Sequence, residues 1–184
     1  MYKDTYIRVK KLFINPDKEW ESINREKMTI RDIFFSYNMP LIIISTIAVF
    51  IGSLFNYHEA RLDNALTHAS YTFIAFMVSL ATAYLIMLKL ISALNIKSDK
   101  ETIFKLIALP SLLIYITHLV VTLFPEIFFI RLLNLYAGFI IWEGYRHLFN
   151  VDKQKNVLLS FITSAFVLLL PLGVFQILYS ITGL

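Results

Sequence analysis

The sequence has no cysteine, and only five glycines, five prolines and two tryptophans in 184 residues. Without thiols there is no disulfide, thiolate metal site, iron–sulfur cluster or cysteine nucleophile. With so few glycines, a phosphate-cradling or dinucleotide-binding loop has no raw material, and no Walker, G-x-G-x-x-G or G-x-S-x-G pattern occurs. The nearest approach to a zinc motif is the stretch HEARLDNALTH, which begins at His58. An H-E-x-x-H helix would need histidine where Leu62 stands, leaving only His58, Glu59, Asp63 and His68 as a loose gathering of ligand types. No catalytic residue, metal or cofactor is expected. Charge is scarce as well: 16% of residues are Asp, Glu, Lys or Arg, against about a quarter in an ordinary soluble domain.

What the chain has is hydrophobic sequence, 58% of it, gathered into blocks rather than spread as an amphipathic pattern. Five blocks reach the roughly 20 residues that cross the hydrocarbon layer as helix. They cover residues 36–57, 68–94, 103–124, 127–149 and 156–181. The expected fold is all-α: a polytopic integral membrane protein, a bundle of five transmembrane helices over residues 36–184, preceded by an amphipathic segment, 1–35. That first segment is polar and mixed in charge, without the short apolar core of a signal peptide, so the first block is expected to stay as an anchor.

An odd number of spans puts the termini on opposite sides, and lysine and arginine decide which is which. Eight lie in the N-terminal tail, four in the connection between spans two and three, and three in that between spans four and five. The other side has only Arg61 and Arg131. The positive-inside rule makes the N-terminus cytoplasmic and the C-terminus external. The net charge of +4 thereby reads as residues flanking anionic headgroups, and nucleic acid is not an expected partner.

The stretch FINPDKEWESINREKM carries a helix start. Asn15 fits the N-cap and Pro16 the first helical position, with Asp17, Glu19 and Glu21 near the positive end of the dipole. Trp20, Ile23 and the stem of Lys27 form one apolar stripe, and Tyr6, Val9, Lys10 and Phe13 mark a second short amphipathic helix before it. These features describe an anchor lying in the membrane interface, with Asn15 and Pro16 opening it and Trp20 at headgroup depth. Pro40 is placed in the first turn of the first span, while Pro110 and Pro171 fall inside spans three and five.

LFINPDKEWESI, followed by a polar gap and YNMPLIIISTIAVFIGSLF, resembles the opening of the Yip family, the Ypt/Rab-GTPase-interacting proteins, in its bacterial branch. KETIFKLIALPSLLIY resembles the start of that family's third span, with its internal proline. LFPEIFFIRLLNLYAGFIIWEGYRHLFNVDKQKNV resembles its tight hairpin, Tyr- and Gly-bearing fourth span and short basic loop. The resemblance implies five spans, a cytoplasmic N-terminus and, for a bacterial member, the inner membrane. Eukaryotic members bind Rab GTPases. The long N-terminal region and the Asp-Leu-Tyr-Gly-Pro motif that go with that role do not occur in this sequence, so Rab binding is not expected.

Ionisable groups at membrane depth mark sites by default. Folding spans three and four about Pro125-Glu126 brings Thr117 opposite Asn134 and His118 to a similar depth, so Thr117, His118, Glu126, Arg131 and Asn134 are expected near the outer face. At the cytoplasmic end the same reflection sets Lys105 opposite Arg146, with Glu143 in reach of both and of His147. Arg131 and Lys105 are close enough to span ends to snorkel. On span four, Arg131, Asn134, Gly138, Trp142 and Tyr145 are expected to share one face. The function read from this is non-enzymatic: a membrane-organising protein whose partner is the lipid bilayer together with a membrane protein or a second copy of itself. The rival is a small transporter or channel using Glu143, His118 and Arg131.

Overall fold

The computed structural model describes residues 2–56, 62–149 and 152–182. Tyr57, which closes the first expected span, and His58, Glu59 and Arg61 lie outside the described residues, as does the side chain of Tyr6. The described residues are all-helical, without strands, in seven helices. α1 (Tyr2–Ile14) and α2 (Pro16–Arg25) form the N-terminal pair. α3 (residues 30–56) starts as an α-turn, passes through a π-helical stretch at Phe34–Asn38 and continues as Met39–Asn56. α4 is Leu62–Ala93 and α5 is Lys100–Leu123. α6 (Pro125–Leu148) is 3-10 helix over Pro125–Leu135 and α-helix over Tyr136–Leu148; α7 is Lys153–Thr182. α3 to α7 are the five helices long and apolar enough to cross a membrane.

α5 lies at the centre, touching α3, α4, α6 and, more lightly, α7. Every residue from Ile103 to Tyr115 is buried, so this helix has no lipid-facing stripe over that length. The other spans are apolar on the outside. Ile43, Ile44, Ile47 and Ile51 of α3, and Leu169, Leu172 and Ile177 of α7, are exposed, as helices facing hydrocarbon require. Polar residues turn inward and tie spans together: Asn38 Nδ2 donates to the Ala108 carbonyl at 2.8 Å, and Ser45 Oγ to that of Tyr115 at 2.9 Å. Gly52 lets α3 approach α5 closely, since a Cβ there would lie 2.9 Å from the Thr122 carbonyl oxygen.

Three expectations about the elements are corrected. The boundary between residues 35 and 36 falls inside α3, which begins at a Thr29–Asp32 capping box. Pro40 therefore sits in the interior of a continuous helix rather than in a first turn. Its missing donor and its ring are met by the preceding π-turn, in which the Met39 amide bonds back to the Phe34 carbonyl. Finally, the face assigned to span four is divided. Its first eleven residues are 3-10 in type and kinked at Ile127, where φ is −98° and ψ is 35°, so the 3.6-residue period does not hold there. Asn134 accordingly meets α5, Gly138 and Tyr145 meet α7, and Trp142 lies beneath the Arg146 guanidinium at 5.1 Å.

The docked N-terminal helices and the polar far end

Asn15 caps α2 through its side chain, which accepts from the Lys18 amide, and Pro16 takes the first position, as expected. Pro16 is buried, and Trp20 is placed differently from the sequence reading. It is fully enclosed by protein and its Nε1 donates to the Ile140 carbonyl of α6 at 2.8 Å. The ring fills the space left by Gly144, where a Cβ would come within 3.0 Å of two ring atoms. A side chain with no accessible surface has no headgroup contact, so Trp20 anchors α2 to the bundle by packing against α6. Ile23 is buried beside it, and Leu12 of α1 is enclosed as well.

Lys105 completes this joint. Its Nζ donates to the carbonyls of Ile23, at 3.1 Å, and Glu26, at 2.8 Å, so an α5 cation caps the C-terminal end of α2. It neither snorkels nor pairs with Glu143. Glu143 is buried and takes a salt bridge from Arg146 of its own helix at 3.0 Å. Asn24 Nδ2 donates to the His147 carbonyl at 2.8 Å, and His147 Nε2 lies 2.9 Å from Asp17 Oδ1. α1 is held in turn by Arg8, whose two terminal nitrogens each lie 2.6 Å from a Glu26 oxygen. That pairing holds the Glu26 carboxyl below the ordinary carboxylate range and raises Arg8 further above its own.

At the opposite end of the bundle the structure brings together part of the expected group. Thr117 Oγ1 bonds the side-chain oxygen of Asn134 across the tight α5–α6 connection. His118 stacks on Phe175 of α7, ring centroids 5.8 Å apart, and meets Phe76 of α4 edge-on at 5.1 Å. Among the described residues its buried Nδ1 has no hydrogen-bond partner. Arg131 and His118 line one cavity of about 300 Å³, together with Ser53, His68, Thr72 and Tyr179. Glu126 is not among the lining residues. His68, grouped with loop residues in the sequence, instead lies with its Nδ1 2.9 Å from the Tyr179 hydroxyl.

Only part of this was accessible to pattern reading. Arg8–Glu26, Asp17–His147 and Asn38–Ala108 join elements that no spacing rule connects; the Thr29-x-x-Asp32 capping box is the exception, since its pattern is local.

A family model, the Yip1 domain, matches residues 10–175, from α1 into the last span α7. The chain belongs to the Yip1-domain family. No curated protein and no solved structure matches it significantly. As a Yip1-domain membrane protein it places apolar helices in contact with the lipid bilayer.

Proposed function

We propose that this Yip1-domain protein is a non-enzymatic membrane-organising protein that binds a membrane-protein partner, or a second copy of itself, through its docked N-terminal helices. The observation that carries this reading is the joint at Trp20 and Lys105. A tail fixed to α5 and α6 is a platform rather than a tether: Lys10, Lys11, Lys18, Glu21 and Arg25 are all exposed on it. A surface ordered before binding loses less conformational freedom when a partner arrives. Lysine and arginine distribution supports a cytoplasmic placement of this platform, and the resemblance to the bacterial branch of the family supports a bacterial inner membrane.

Transport would join Glu143 to His118 and Arg131. Glu143 lies at the tail end against Arg146, and it lines neither of the two cavities near His118, so the geometry favours the platform. A photo-reactive group at position 18, in native membranes, tests the proposal. A discrete adduct that Trp20→Ala abolishes is the expected result. Absence of any adduct, together with a monomeric chain in mild detergent, would overturn it.

A further inference from the structure

The far-end cavity does not stop at its polar walls. A second cavity of about 620 Å³ shares His118, Arg131, Phe175 and Tyr179 with it and continues along Ile114, Leu135, Leu168, Leu169 and Leu172. Both volumes fall in the range of ordinary ligand sites. Polarity is graded along the path. Arg131, His118, His68 and Thr72 gather where the helices end, and the groove between α6 and α7 becomes apolar toward mid-membrane. From Tyr179 to Leu168 is eleven residues of α7, or about 16 Å at helical rise. That is close to one leaflet, half of the roughly 30 Å hydrocarbon core.

Among the described lining residues Arg131 carries the formal charge. Among the described residues neither cavity is lined by a carboxylate, and Arg131 has no carboxylate partner. A guanidinium with several donors and no acceptor matches a phosphate oxygen pair, and the His118 ring lines the same cavities beside it. We infer that this chamber and groove hold one phosphoglycerolipid of the leaflet at that end, its phosphate against Arg131 and His118 and one acyl chain along Leu168, Leu169 and Leu172. The site is independent of the platform at the other end. It gives a five-helix protein a means of recognising a headgroup as well as lying in bulk lipid.

Native mass spectrometry of the full chain, delipidated in mild detergent and titrated with phosphatidylglycerol, is the test. One tightly held lipid is expected per chain. Arg131→Gln should weaken it at least tenfold, and Leu169→Trp, which blocks the groove, should do likewise. Arg146→Gln, at the other end, should leave it unchanged. Diacylglycerol with the same chains should bind at least tenfold more weakly, and inorganic phosphate should fail to displace the lipid. Equal retention by Arg131→Gln and the unaltered chain would overturn the proposal. So would equal binding of diacylglycerol, which would mean a chain slot without headgroup recognition, or displacement by free phosphate, which would mean a simple anion site. Arg131 is exposed, so its replacement leaves the fold intact, and unchanged helical content confirms that the readout is binding.

Discussion

Trp20 meets two demands with one ring: it fills the hollow above Gly144, and its N–H finds the Ile140 carbonyl inside a region closed to solvent. Truncation to alanine removes both, and losses of this type cost about 3–5 kcal/mol. We expect Trp20→Ala to free α1 and α2 while the spans remain inserted, read as rapid proteolysis of the tail in detergent with the membrane core protected. Gly144→Ala approaches the same joint from the other side. Its new methyl would come 2.7 Å from Leu106 Cδ1 and 3.0 Å from the Trp20 ring, both in fully buried side chains. Overpacking of this kind costs about 1–3 kcal/mol, so the same proteolysis should show a partial release. Lys105→Met separates the two accounts of that lysine. If Lys105 served only to snorkel, α2 would be indifferent to its loss; capping the Ile23 and Glu26 carbonyls predicts that α2 loosens, by about 1.5–3 kcal/mol for a charged hydrogen-bonded group.

α1 and α2 depend on ionisation through one pair. Glu26 is held below its ordinary value of 4.5 by its hydrogen bonds from Arg8, so it binds a proton less readily folded than unfolded. The stabilisation it provides is complete above about pH 4.5 and is lost as the pH falls below that, through the lowered folded value. Arg8, raised from an already high value, stays charged throughout and adds no slope in this range. Tail proteolysis with an acid-tolerant protease should therefore accelerate on acidification below pH 4.5. In Glu26→Gln the tail should be looser at neutral pH, with that acid-dependent part gone; an unchanged acid profile would contradict the Arg8–Glu26 tie. For α6 the relevant property is phase. Helical-wheel reading assumes about 100° per residue, whereas a 3-10 helix advances about 120°, so the four steps from Arg131 to Leu135 turn that face by roughly 80° relative to the α-helical residues after it.

Across the molecule, what was legible follows from two strong regularities. Hydrocarbon demands long apolar helices, so five spans and their order could be read from hydropathy alone, and a short α5–α6 connection forces the antiparallel pairing that joins Thr117 to Asn134. Asn15 and Pro16 were legible because capping is local. The placements of Trp20 and Lys105 were not, because an apolar stripe with a tryptophan looks the same whether it faces headgroups or another helix. Gly144 is the residue that decides between the two, and it lies 124 positions along the chain from Trp20. His118 was recognised as unusual, but its aromatic surroundings come from α4 and α7, which no turn brings to it.

The docked tail is most directly tested by distance, and a chain without cysteines makes that measurement clean. Asp17 and His147 touch across the joint at 2.9 Å and both lie outside the buried core. The pair Asp17→Cys with His147→Cys, treated in membranes with a short bismaleimide, should crosslink nearly completely within the chain. Asp17→Cys with Thr67→Cys, at the far end of the bundle, should not. Crosslinking of the first pair no faster than the second would contradict a tail docked on the helix bundle.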